Sequence, residues 1–146
     1  MNDLLTTLIE ALRDELQQYG EMLAMLDQQQ SLVIQRQTHE LAESVTGINT
    51  QLEHIAAARC AREQSQRNIA RELKLPENAS FKVIIPQLPP DYRPLVEALV
   101  QENNELLVRV QQRTRQNHLL LSHAVELMQQ LLHSIFPSAT PATYNG

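Results

Sequence analysis

Apolar residues in the first helical stretch fall at Leu5, Ile9, Leu12, Leu16, Tyr19, Leu23 and Leu26. The intervals alternate between four and three, the rhythm of a heptad seam. This predicts an amphipathic helix starting near Asn2 or Asp3, either of which can cap it. The seam fades at Asp27, Gln28, Gln29 and Gln30. Leu32, Val33 and Ile34 either continue the helix or pack across a turn. One helix over 3–73 would be about 105 Å long at 1.5 Å per residue. Nothing else in the chain is long enough to cover it, so a break or reversal is expected within 28–38.

A second helix is expected from about Thr38, as N-cap, to Leu73. Its seam is Leu41, Val45, Ile48, Leu52 and Ile55. Arg59, Arg62 and Gln66 then stand where apolar residues are expected, before Ile69 and Leu73 recover the pattern. Gly47 costs about 1 kcal/mol relative to alanine and points to a close helix approach. Pro76 ends the helix, because the residue before a proline disfavours helical geometry. In 76–90, Pro86, Pro89 and Pro90 exclude a helix on this reading, while Phe81, Val83, Ile84 and Ile85 are too apolar for a free loop. An extended segment pinned to the bundle is expected.

The third helix should run from Asp91, as N-cap, to about Ser134, with Pro94 in its first turn, where the missing N–H costs little. Its main seam is read as Leu99, Leu106, Val110, Leu120, Ala124, Leu127 and Leu131, interrupted by Asn103, Arg113 and Asn117. A buried Asn at a seam position is a register device, so Asn103 and Asn117 are expected to fix pairing. The stretch 118–136 is the most apolar in the chain and the element around which the rest is expected to be arranged. It carries two adjacent stripes. Leu120, Ala124, Leu127 and Leu131 are expected to face the bundle. Leu121, Val125, Met128, Leu132 and Ile135 are expected to stay at least partly open for a partner. The fold class that follows is all-α, an antiparallel bundle or coiled coil of three long helices, or four segments if one is broken. Residues 1–136 form one domain and 137–146 a flexible tail with too little apolar surface to hold itself in place.

Composition narrows the function. A chain of 146 residues is one domain by length. No apolar run is long enough for a membrane span, and the first ten residues, with Asp3 and no base, are not a secretory signal. A lone Cys60 suits a reducing, cytoplasmic setting; among alanines 56–58 and 61 it is expected to pack as a small apolar residue. The net charge of −5 argues against nucleic-acid binding. The charge is uneven. Residues 1–58 hold nine acids against Arg13 and Arg36, net −7, while residues 59–74 are net +3. The basic segment reads as a solvated helix face or as a contact for an acidic partner.

Candidate chemistry is sparse. His123 and Glu126 lie three apart on one face, but a bundle metal site needs further inward Glu and Glu-x-x-His sets, which are missing. There is no glycine-rich phosphate loop and no nucleophile–base pair. No enzymatic activity and no cofactor are expected. What remains is an apolar surface for another protein: a client segment in the groove beside the last helix, or self-association as a scaffold. A homodimer fits the second case.

The order of features resembles the FlgN-like flagellar export chaperones. The features are long N-terminal helices, a proline-containing connection, a helix with Asn117-His118-Leu119-Leu120, and an end on Thr143-Tyr144-Asn145-Gly146. The family's last helix typically carries an N-x-x-N-x-x-L-L stretch, and many members end in T-Y-x-x-x-G. Here Asn117 fits the second Asn, Thr114 stands at the first, and the tail is shortened. The resemblance implies a cytosolic chaperone that binds the C-terminal segments of hook-filament junction proteins, prevents early assembly and delivers them to the export gate. It implies a client surface on Leu120, Leu121, Ala124, Val125, Leu127, Met128, Leu131 and Leu132, with Tyr144 contacting the export machinery.

Overall fold

The computed structural model describes residues 1–135, so the expectations for the tail, Tyr144 included, lie outside the described residues. About 87% of the described residues are helical, and no strand occurs among them. Three long helices dominate: α1 (Asn2–Ile34), α2 (Thr38–Glu72) and α4 (Arg93–Ile135). A short helix α3 (Phe81–Ile84) and a 3₁₀ turn (Ile85–Gln87) lie in the connection between α2 and α4.

The reversal expected near residue 30 is a turn at 35–37. Gln37 donates its N–H to Leu32 O and Arg36 donates to Val33 O, with Arg36 at φ 57°. These are the two hydrogen bonds of a Schellman ending. The end of α2 repeats it: Leu75 donates to Ala70 O, Lys74 to Arg71 O, and Lys74 sits at φ 59°. Thus α2 stops before Pro76, on its own cap. The expected N-caps shift as well. Met1 and Gln37 hold the cap positions, so Asp3 and Thr38 lie inside their first turns. There the charge of Asp3 favours the positive helix end.

Cross-helix contacts fix the arrangement. Gln51 Nε2 on α2 donates to Gln18 O and Oε1 on α1 (3.0 and 2.8 Å). Arg62 reaches Glu15, and a Cβ on Gly47 would meet Met25 Cε at 3.1 Å, the close approach expected there. Position rises along α1 as it falls along α2, so the two are antiparallel. On α4, Asn103 Nδ2 donates to Leu12 O (3.0 Å) and Asn117 Nδ2 to Leu26 O (2.8 Å). Both pairs are 91 apart in sequence, so α4 runs parallel to α1 in one constant register. The two asparagines pair the helices as expected, although each leaves its buried Oδ1 without a hydrogen-bond partner.

The organising element is therefore α1, not the stretch 118–136. Both α2 and α4 pack on α1 and barely touch each other. This is more open than a closed three-helix bundle, because a groove floored by Leu12, Glu15 and Tyr19 lies between α2 and α4. Since α1 has neighbours on two sides, its buried arc is wider than one seam. It adds Leu8, Glu15, Met22 and Gln29 to the heptad positions. The α2 seam is correspondingly different from the one expected. Gln51, Ile55, Ala58, Ser65, Ile69 and Ala70 are buried, while Val45 and Leu52 are exposed. Cys60 is exposed rather than packed.

Two apolar clusters hold the assembly. The larger joins Leu5, Leu8, Leu12, Ile69, Ile84, Leu88 and Val96 at the end where the connection crosses. The smaller joins Tyr19, Met22, Leu23, Leu26, Ile55 and Val110. The connection is pinned, as expected, by Ala79, Ile84 and Leu88, but it is helical rather than extended. Pro86 stands in the first turn of the 3₁₀ segment, where it removes no needed N–H. Gln66 Nε2 donates to Ala79 O (3.0 Å) and Arg93 Nε to Leu88 O (2.8 Å), tying the connection to α2 and to the start of α4.

Candidate protein-binding surface

The first half of α4 is a conventional packing face. Val96, Leu99, Asn103, Val110 and Asn117 are buried against α1. Arg113 Nε pairs with Asp27 Oδ1 at 3.1 Å and its guanidinium also donates to Gln30 Oε1. Asn117 adds a bond to Gln29 Oε1 at 3.0 Å. Beyond Asn117 the burial falls away. Leu120 and Leu121 are half-buried, and every residue over 123–135 is exposed. The constant register explains the change. It sets Val125 level with Ile34, the last residue of α1. Residues 126–135 then overhang the end of α1 by about 15 Å at 1.5 Å per residue.

The expected division between the two stripes does not hold. Leu127 is 43% exposed and Leu131 63% exposed, beside 60% for Met128 and 47% for Leu132. Ala124 is exposed too. The first stripe is thus as open as the second. The reason is where α1 ends. Val96, Asn103, Val110 and Asn117 are buried at intervals of seven, and the same repeat continues to Ala124 and Leu131, with Leu120 and Leu127 between them. The first stripe therefore does prolong the α1-facing seam, but Leu127 and Leu131 lie past the level of Ile34, the last residue of α1. They stand open for want of a partner helix, beside Leu121, Val125, Met128, Leu132 and Ile135 of the second stripe.

The surface carries little charge. Within 118–135, Glu126 is the one residue among Asp, Glu, Lys and Arg. Solvation of so many apolar side chains is unfavourable, which makes this surface the candidate for an interaction site. Among the described residues no group of His, Cys, Asp and Glu is arranged to hold a metal. No helix among them is long and apolar enough to cross a membrane.

Charge chemistry is concentrated elsewhere, at the floor of the groove between α2 and α4. Glu15 is 2% exposed. Its carboxylate accepts Nε–H and Nη2–H of Arg62 (2.8 and 3.2 Å) and the Tyr19 hydroxyl (2.7 Å). Arg59 Nη2 donates to the Tyr19 oxygen at 3.2 Å. Burial raises the Tyr19 phenol above its ordinary value; the Arg59 hydrogen bond opposes this and Glu15 adds to it. The Arg59 guanidinium is raised in turn, chiefly by its hydrogen bond to Tyr19. Two cations of the basic segment thus have a structural task. Arg71 makes an exposed pair with Glu77 at 3.0 Å.

The sequence matches the family model described as FlgN protein over residues 1–146. No curated protein and no solved structure matches the chain significantly.

Proposed function

Because this chain belongs to the FlgN family of flagellar export chaperones, we propose that it is a cytosolic chaperone whose client surface is the distal half of α4. The clients are the C-terminal segments of hook-filament junction proteins. Covering them prevents premature assembly, and the complex is handed to the export gate. In this reading residues 1–136 act as one helical unit, and the tail, with Tyr144, contacts the export machinery. The observation that carries it is the run of exposed apolar side chains on a helix that continues past its partner. Met128 gives the surface an adaptable side chain.

The test pairs binding with folding. Met128→Gln together with Leu132→Gln should leave the helical circular dichroism and thermal midpoint nearly unchanged, since both side chains are exposed and lie past the end of α1. The same pair should weaken binding to a junction-protein C-terminal segment by a few kcal/mol, as loss of apolar anchors does. Unchanged affinity in the folded double variant would remove the site from α4. The competing reading, a self-associating scaffold with no client, requires a fixed oligomer that is indifferent to added client; sedimentation separates the two.

A further inference from the structure

The distal half of α4 has more apolar arc than one partner helix can use. Leu120, Ala124, Leu127 and Leu131 form one stripe, and Leu121, Val125, Met128, Leu132 and Ile135 another. At about 100° per residue their centres stand about 90° apart, and together they span about 160° of the circumference. A helix with a single apolar face needs about 100°. Each stripe also keeps its own alternation of fours and threes, the rhythm of helix against helix. The first stripe continues the seven-residue repeat of Val96, Asn103, Val110 and Asn117, the seam that α1 covers farther up the same helix. One occupant is therefore a helix that takes up the line of α1 where it ends. The exposed Ile34 (68%) lies level with its near end. The second stripe, about a quarter-turn away, needs a separate helix beside it.

We propose that the client binds α4 as two amphipathic helices of one chain, one on each stripe, rather than as a single helix. This rests on the client reading above. The stripes extend over about 17 and 21 Å at 1.5 Å per residue, so the client helices need at least about three and four turns respectively. With Glu126 the one carboxylate among the stripes' neighbours over 118–135, the contact faces on the client are apolar and close to neutral.

The full chain is tested with the C-terminal segment of a hook-filament junction protein by titration calorimetry, using Leu127→Gln/Leu131→Gln for the first stripe and Val125→Gln/Leu132→Gln for the second. Each pair should weaken binding at least about tenfold, or about 1.4 kcal/mol, and the four together should weaken it by about the product. A photo-crosslinker at Leu127 should label one client stretch and one at Met128 a different stretch, separated by more than a helix length. If one pair leaves affinity unchanged, or both crosslinkers label the same stretch, a single helix is bound and the proposal fails while the client reading stands. A complex holding two copies of this chain, with one stripe crosslinked between copies, overturns it equally. Absence of binding by the unaltered protein overturns both.

Discussion

Arg62→Ala should be among the most damaging single changes on α2. The Glu15 carboxylate has two N–H donors from Arg62 and one O–H donor from Tyr19. Removing Arg62 leaves a charge at 3% side-chain exposure with the phenol alone. Breaking a fully buried ion pair from one side costs about 3–5 kcal/mol. The Arg62 side chain is 20% exposed, and the groove admits water once it is cut back, so about 2–4 kcal/mol is the expected cost. For a chain of this size about 2–4 °C of thermal midpoint accompanies each kcal/mol, giving a fall of about 4–16 °C. Arg62→Met combined with Glu15→Leu removes both charges and keeps apolar volume. It should recover most of the loss, because the cost lies in the orphaned charge and not in the absent attraction. Thermal unfolding followed by helical circular dichroism measures all three proteins. A loss below about 1 kcal/mol for Arg62→Ala would refute the reasoning. So would a double variant as unstable as the single one.

Three further outcomes are expected. Leu127→Ala and Leu131→Ala should each cost under about 1 kcal/mol, far from the 2–5 of a buried leucine, and urea titration checks this. Lys74→Gly should raise stability by somewhat under about 1 kcal/mol, because a left-handed residue with a Cβ is strained while glycine gives back part of the gain as chain entropy; the thermal midpoint reports it. The folded state holds the Tyr19 phenol protonated above its ordinary value near 10, so the unfolded chain releases that proton first. Its contribution to stability is complete below pH 10 and is lost as pH rises toward the higher folded value. Thermal midpoints between pH 9 and 11 should therefore fall less steeply in Tyr19→Phe.

The long helices, the reversal before Thr38, the close approach at Gly47 and the pairing role of Asn103 and Asn117 were legible because each is local or periodic. The burial of Glu15 was not, since an acid beside a heptad seam looks solvated. Its one trace was Arg62 standing where an apolar residue was expected, a cation matched to an anion 47 residues away. The exposure of Leu127 and Leu131 was missed for a different reason. A heptad count gives the line of a seam but not the point at which the partner helix ends, and α1 stops at Ile34 while α4 runs on to Ile135. The helical connection was hidden by counting prolines without asking which of them fall in a first turn.

The two apolar clusters set a gradient of cooperativity along the molecule. The larger knits α1, the end of α2, the connection and the start of α4 into one mutually dependent unit. Toward the 35–37 turn the smaller cluster ends with Leu26 and Ile48, and beyond it Gln29 meets Ser44. Amide protons should therefore exchange slowly near Leu8, Ile69 and Val96, and progressively faster toward the turn and the α4 overhang, which open without global unfolding. A ligand seated at that loose end has to order it on binding, at a cost in affinity, while the opposite end holds the fold.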